Sequence, residues 1–177
     1  MGWLVITGIV VGVLVLVVLA VMAIGAALPK EHVAARRISL PVEPPEVWAA
    51  LTDVSAFPAW RPRVERVEVL GTDPLRWREF GRDGKITFEM SETDAPRRLV
   101  SRITDDKLPF GGTWTYDIAP SGGGSTVTVT EHGEVRNVLF RFVSRFVMGH
   151  TATIDGYLTA LGGKFGHPVT PDAAEAR

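Results

Sequence analysis

The stretch that decides the fold runs from Ile38 to Trp60 and reads ISLPVEPPEVWAALTDVSAFPAW. It opens on the end of a strand, Val33 to Leu40, which Pro41-Val42-Glu43-Pro44-Pro45 breaks. Pro45 suits the first turn of a helix, where its missing N–H leaves no bond unmade. Glu46 to Leu51 continues that helix, with Val47, Trp48 and Leu51 on one face. A second short helix around Val54 to Phe57 is expected to stop near Pro58.

Downstream the periodicity changes to strands. Val64 to Leu70 is one, and Leu75 to Phe80 with Lys85 to Ser91 flanks the turn residues Gly81 to Gly84. Arg98 to Ile103 follows, then Thr113 to Ile118 and Ser125 to Val135 around Ser121-Gly122-Gly123-Gly124. Thr126 to Thr130 alternates strictly, as a sheet with one apolar and one wet face requires. From Val138 to Leu161 apolar residues recur at helical spacing, and Leu139, Phe142, Val143, Phe146, His150, Ile154, Tyr157 and Leu161 form a stripe that predicts one long helix. Residues 167–177 read as a disordered tail.

Upstream, no charged residue occurs from Gly2 to Pro29. As a helix, Trp3 to Leu28 reaches about 39 Å against a hydrocarbon thickness of about 30 Å. Residues 1–29 are therefore expected to be a transmembrane anchor. A cleaved signal peptide is the rival reading, but its apolar region is normally about 7–15 residues behind a basic segment. Lys30, Arg36 and Arg37 follow the span, which places the N-terminus outside and the C-terminal domain in the cytoplasm. Gly8 and Gly12 form a small-xxx-small pair through which two copies can pack as a homodimer, although glycine is common in such helices. The net charge of −1, with both signs scattered, excludes a clustered phosphate-binding face and so nucleic acid as a partner. There is no cysteine for disulfide or thiolate chemistry.

The order of elements, with the opening motif from Ile38 to Trp60 and the closing strand and amphipathic helix, resembles the SRPBCC superfamily of START and Bet v 1-like proteins. Within it the chain is similar to the bacterial polyketide cyclase/dehydrase-type members. The resemblance covers residues 33–166. It implies an α+β helix-grip fold, in which a curved antiparallel sheet of about seven strands wraps a long C-terminal helix, here preceded by one transmembrane helix. It also implies a pocket between sheet and helix, and the family spans lipid carriers, hormone receptors, ring cyclases and proteins of unknown role. The anchor departs from the usual soluble members and argues against a freely diffusing carrier.

Alternation assigns the concave face. Trp114, Tyr116 and Ile118 share one side of a strand, as do Ile86, Phe88 and Met90, and Val127, Val129 and Glu131. Phe88, Met90, Trp114, Tyr116 and Glu131, with Phe142, Phe146 and His150 from the helix, are the candidate ligand-binding residues. Trp114 and Tyr116 carry polar tips on apolar bodies, as pocket walls or as core. Glu131 on an apolar face is either desolvated with a raised pKa or turned outward by a bulge. His150 can bond a ligand or a core neighbour. Leu108 to Gly112 is an apolar loop that either gates the pocket mouth or touches lipid, or else packs over the domain edge. No HExxH, nucleophile elbow, Walker or dinucleotide motif occurs, so neither metal nor cofactor is expected. The leading functional expectation is a membrane-anchored binding domain for a lipid, isoprenoid or aromatic metabolite. A polyketide cyclase/dehydrase-like enzyme and a membrane scaffold are the alternatives, and no catalytic residue is assigned.

Overall fold

The computed structural model describes residues 2–82, 84–149 and 151–176. His150 lies outside the described residues. Helix α1 (Gly2–Ala27) is apolar along its length and exposed over almost all of it. Strand β1 (Glu31–Leu40) leaves it and leads to α2 (Pro44–Thr52), a turn of 3-10 helix (Val54–Ala56) and α3 (Phe57–Trp60). Val47, Ala50 and Leu51 of α2 are buried and Trp48 packs against the core, which is the face the periodicity predicts. Pro58 starts α3 instead of ending a helix. In a first-turn position proline blocks no hydrogen bond, so the residue expected to be a stop is a beginning.

Six strands follow: β2 (Val64–Thr72), β3 (Leu75–Gly81), β4 (Gly84–Asp94), β5 (Arg98–Ile103), β6 (Phe110–Ser121) and β7 (Gly124–Val135). All pairings are antiparallel, β1 returns beside β7, and a short β8 (Asp172–Ala173) lies on the outer edge of β1, giving the spatial order β2-β3-β4-β5-β6-β7-β1-β8. The concave face carries the core. Val127 and Val129 are fully buried, and Leu99, Tyr116 and Ile118 are nearly so. The threonine face is less wet than alternation suggests. Thr115 and Thr130, neighbours across β6 and β7, are both buried, because central strands shield the short side chains of their partners.

The sheet has eight strands, in keeping with the expected curved antiparallel sheet of about seven. The eighth is β8 (Asp172–Ala173), which pairs with β1. The tail expected to be disordered thus folds back at this point. Val169 packs on the core and against Gly162, whose missing side chain makes room for it.

The larger correction concerns the last helix. It is three pieces: α4 (Val138–Val143), a π-helical turn (Ser144–Met148) and α5 (Ala152–Lys164). Asn137 caps α4, its Oδ1 accepting from the Phe140 N–H at 3.0 Å. The break falls at Gly149, with φ +76° and ψ 152°, a conformation outside the helical region. The expected stripe therefore divides. Ile154, Tyr157, Leu158 and Leu161 of α5 are buried, whereas Leu139 and Phe146 are exposed.

The loop before β6 is stapled down. Arg136 Nη1 donates to the carbonyls of Asp106 and Leu108 at 3.1 and 3.3 Å, and the Arg136 N–H donates to the Pro109 carbonyl at 2.8 Å. Gly112 belongs to β6 with φ +132°, and a Cβ there would collide with the His132 carbonyl. Gly112→Ala is expected to cost about 2–3 kcal/mol in chemical denaturation, since strain and backbone collision combine. Gly156, on the exposed side of α5 with nothing within 4 Å of a Cβ, marks the opposite case. Gly156→Ala is expected to stabilise by roughly 0.5–1 kcal/mol.

Candidate functional site

The sheet and α5 do not fill the space between them. A cavity of about 420 Å³ remains, within the range of small-molecule sites. Its walls are mostly apolar, and the strand register orders them along β6. Phe110 and Phe140 stand at one end, their rings 5.7 Å apart. Trp114 lies midway, and Tyr116 with Tyr157 lies towards the other end, at 5.7 Å between ring centroids. Phe110 and Tyr116 are separated by about 20 Å of extended strand.

The Tyr116 end is polar. Arg61, just past α3, meets Glu79 of β3 in a two-pronged ion pair, with Nη1–Oε1 at 2.6 Å and Nη2–Oε2 at 3.0 Å. The Trp77 indole N–H also donates to Glu79 Oε1, at 3.0 Å. The guanidinium lies over the rings of Phe57 and Tyr157, at 4.7 and 5.0 Å. Burial lowers the Arg61 pKa, but attraction to Glu79, its hydrogen bond to that carboxylate and the Tyr157 and Tyr116 oxygens together outweigh burial, and the net direction is up. Tyr116 shares hydrogen bonds with Ser101 and Tyr157. Burial pushes the Tyr116 phenol up to about 12 and holds the Tyr157 phenol well above its ordinary value. Both are therefore protonated donors at neutral pH. With Arg61 neutralised by Glu79, this group offers hydrogen bonds from a charge-balanced pair and two phenols.

Glu131 sits midway, on β7 opposite Trp114. No bulge turns it outward. Its side chain is 19% exposed, and burial pushes its carboxyl up to about 7, against a hydrogen bond to Trp114 that acts the other way. His32 Nε2 lies 3.8 Å from Glu131 Oε1, and its ring covers Gly133, where any side chain would displace it. A carboxyl that titrates near neutrality can take or give a proton inside the cavity.

The structure thus brings together Phe88, Met90, Trp114, Tyr116 and Glu131 around one cavity. It does not bring in Phe142 or Phe146. Those two rings face each other at 5.0 Å, Phe146 is 59% exposed, and neither lines the cavity. The reason is the break at Gly149, which turns their helical segment off the line of α5. From that segment Phe140 and Ser144 reach the cavity instead. Among the described residues no group of three or more His, Cys, Asp or Glu could hold a metal ion.

Sequence reasoning passed over Arg61, Glu79, Ser101 and His32. A signal for Glu79 was present. If Arg76 and Arg78 face water, Trp77 and Glu79 face inward, and a carboxylate on an inward face demands a cationic partner. Nothing local marked Arg61 as that partner, 18 residues away.

Comparison with known proteins agrees with this geometry. A family profile described as "Polyketide cyclase / dehydrase and lipid transport" matches residues 31–161. The chain belongs to that family. No curated protein sequence matches it. A START superfamily protein from Mycobacterium smegmatis is similar in structure, with a TM-score of 0.62 at 15% identity, over 76% of this chain and 97% of that one. An aromatase/cyclase from Streptomyces gives 0.62 at 15% identity, over 77% and 94%. Norcoclaurine synthase from Thalictrum flavum gives 0.61 at 11% identity, over 76% and 86%. At such identities the likeness establishes the START-like helix-grip fold.

The Glu131 carboxyl has a testable signature. Its folded pKa of about 7 stands above the ordinary 4.5, so the folded state binds this proton more tightly than the unfolded state does. Its contribution to stability is fully present below pH 4.5 and is lost as pH rises through 7. The loss is on the order of 3 kcal/mol at full effect. Glu131→Gln is expected to remove most of the decline between those pH values and to be the more stable protein at pH 8. Denaturation curves at several pH values check this. A glutamine variant that tracks the parent at pH 8 would show that the carboxyl is solvated.

Proposed function

We propose that this protein is a membrane-tethered binding domain for a hydrophobic small molecule such as a lipid, isoprenoid or aromatic metabolite. The observation that carries the reading is the apolar cavity of about 420 Å³ with a hydrogen-bonding group at one end. That combination suits a molecule with an apolar body and a neutral oxygen function. The body is driven in by removal of apolar surface from water, about 25 cal/mol per Å². The oxygen is oriented by Tyr116, Tyr157 and Ser101. The family description, which includes lipid transport, supports the same reading. α1 serves as the tether, and Lys30, exposed just past its end, with Arg37, exposed further along β1, favours a cytoplasmic domain. Gly8 and Gly12 have nothing within 4 Å, which leaves that face of α1 open to a second copy.

A second reading is favoured by one observation. Glu131, pushed up to about 7, stands on the cavity wall two residues along β7 from the partner of Tyr116, a pairing of proton acceptor with protonated phenols suited to cyclisation or dehydration of a carbonyl substrate.

Ile103, half-buried on the cavity wall, allows the cavity to be filled from one side. Native mass spectrometry of the full chain released from lipid nanodiscs is expected to show a retained apolar molecule. Ile103→Trp is expected to reduce its occupancy at least tenfold without loss of folding. Equal retention by the variant, or an empty parent protein, would count against the binding reading.

A further inference from the structure

The apolar surface of α4 and the π-helical turn is left over by everything above. Residues 138–148 read VLFRFVSRFVM, with two arginines and no acid. Leu139 is 51% exposed, Phe146 59% and Val147 73%. Among the described residues beyond α1, Val147 and Phe146 are the most exposed large hydrophobic side chains. Lone exposed hydrophobics need no explanation, but three on one short basic segment form a patch.

The patch is continuous with α1. The Val138 backbone packs directly on Gly25, in a gap that any side chain at position 25 would close. Arg141 is 7% exposed although charged, and its Nη1 donates to the Leu28 carbonyl at 3.1 Å. That carbonyl lies one residue past the end of α1, where helical carbonyls lack partners. Two contacts, one of close backbone packing and one a hydrogen bond, thus fix α4 against the end of α1.

This fixes depth as well. Gly25 precedes the last residue of α1 by two positions, so Val138 sits about 3 Å below the helix end. A helix of 26 residues is about 39 Å long and exceeds a hydrocarbon core of about 30 Å by several ångström at each end. If α1 spans the bilayer, the level of Gly25 and Val138 is the headgroup–acyl boundary. An amphipathic helix lies there, its apolar face buried about 5–10 Å and its basic residues among the headgroups. Arg145 on the π-helical turn and Lys30 at the end of α1 are both exposed and supply such residues.

We propose that residues 138–148 are a second membrane element, lying in the lipid interface beside α1 with Leu139, Phe146 and Val147 in the acyl boundary. The domain is then held against the bilayer in one orientation. The inference rests on the reading of α1 as a membrane span and adds to it an interfacial contact made by the domain itself.

The absence of cysteine permits single labels in the full chain. Nitroxides are placed at Val147→Cys, at Ile9→Cys in the N-terminal third of α1, and at Gly123→Cys in the exposed β6–β7 turn. The protein is reconstituted in liposomes of phosphatidylcholine with one-fifth phosphatidylglycerol. Collisional accessibility to oxygen and to a water-soluble nickel chelate is then read at each site. Labels at positions 9 and 147 are expected to favour oxygen, and the label at 123 to favour the chelate at least tenfold more than the label at 147. If position 9 favours oxygen while position 147 matches position 123, the anchor stands and this inference falls. If position 9 itself favours the chelate, the anchor reading fails and takes the inference with it. Spin–spin broadening between labels at position 147 that persists at high lipid dilution would show a second copy on the patch, which also overturns the proposal.

Discussion

The Arg61–Glu79 pair is the constraint around which the interior is arranged. Two charges taken out of water cost several kcal/mol each, and only close, two-pronged geometry with further hydrogen bonds offsets that cost. Here the geometry is met: both guanidinium nitrogens reach the carboxylate, and the Trp77 indole takes up one of its oxygens again. Each partner needs its own element in place. Arg61 requires α3 to end where it does, and Glu79 requires β3 to face Trp77 and itself inward. The rings of Phe57 and Tyr157 then close over the cation, which ties α5 to the same point. A purely apolar inner end would have collapsed onto itself more easily. A polar pair that must keep its partners holds side chains in fixed positions and leaves neighbouring space open.

The break at Gly149 decides what the remaining helix does. A continuous helix from Val138 would have carried Phe142 and Phe146 into the core along with Ile154 and Tyr157. The turn divides the labour instead. α5 buries its stripe and closes the cavity, and α4 turns to the end of α1. Phe140 and Ser144 line the cavity, whereas Leu139, Phe146 and Val147 of the same short segment are exposed on the outside.

Much of this was legible in the sequence, and the exceptions have a common physical origin. The strands were readable because period-two alternation is local, and the concave placement of Phe88, Met90, Trp114, Tyr116 and Glu131 follows from it. Failures occurred where a residue's role depends on what lies far away in the chain. Glycine in a helical pattern is compatible with a continued helix at modest cost. The contact of α4 with the end of α1, and the burial of α5 against the sheet, lie far from Gly149 in the chain and mark it as the point where the two halves part. The tail after Gly166 is rich in small residues and proline, which reads as disorder, yet Gly162 and the free edge of β1 give Val169 and β8 somewhere to go. Arg36 was counted as a juxtamembrane charge. In the folded chain its Nε lies 2.9 Å from Asp155 Oδ1, so it joins β1 to α5 and is not the free charge that its place in the sequence suggests.

The two ends of the cavity are chemically unlike, and the difference has a direction. Tyr116, Tyr157 and the Arg61–Glu79 pair lie at the inner end; Phe110 and Phe140 lie at the end nearest α1. An amphiphile resting in a bilayer presents its oxygen function at the interface and its apolar body below. A domain standing over that interface meets the oxygen first. Entry with the oxygen leading brings it past Glu131 and Trp114 to the phenols, while the apolar body trails between Phe110 and Phe140. That path never exposes the full body to water, at about 0.8 kcal/mol for each methylene kept covered. A soluble protein of the same fold has no such restriction on approach. α4 is fixed to α1 by Gly25 and by the Arg141–Leu28 bond, so with α1 in a bilayer, as proposed, the Phe110–Phe140 end of the cavity is the one near lipid, and tether and cavity polarity describe one arrangement.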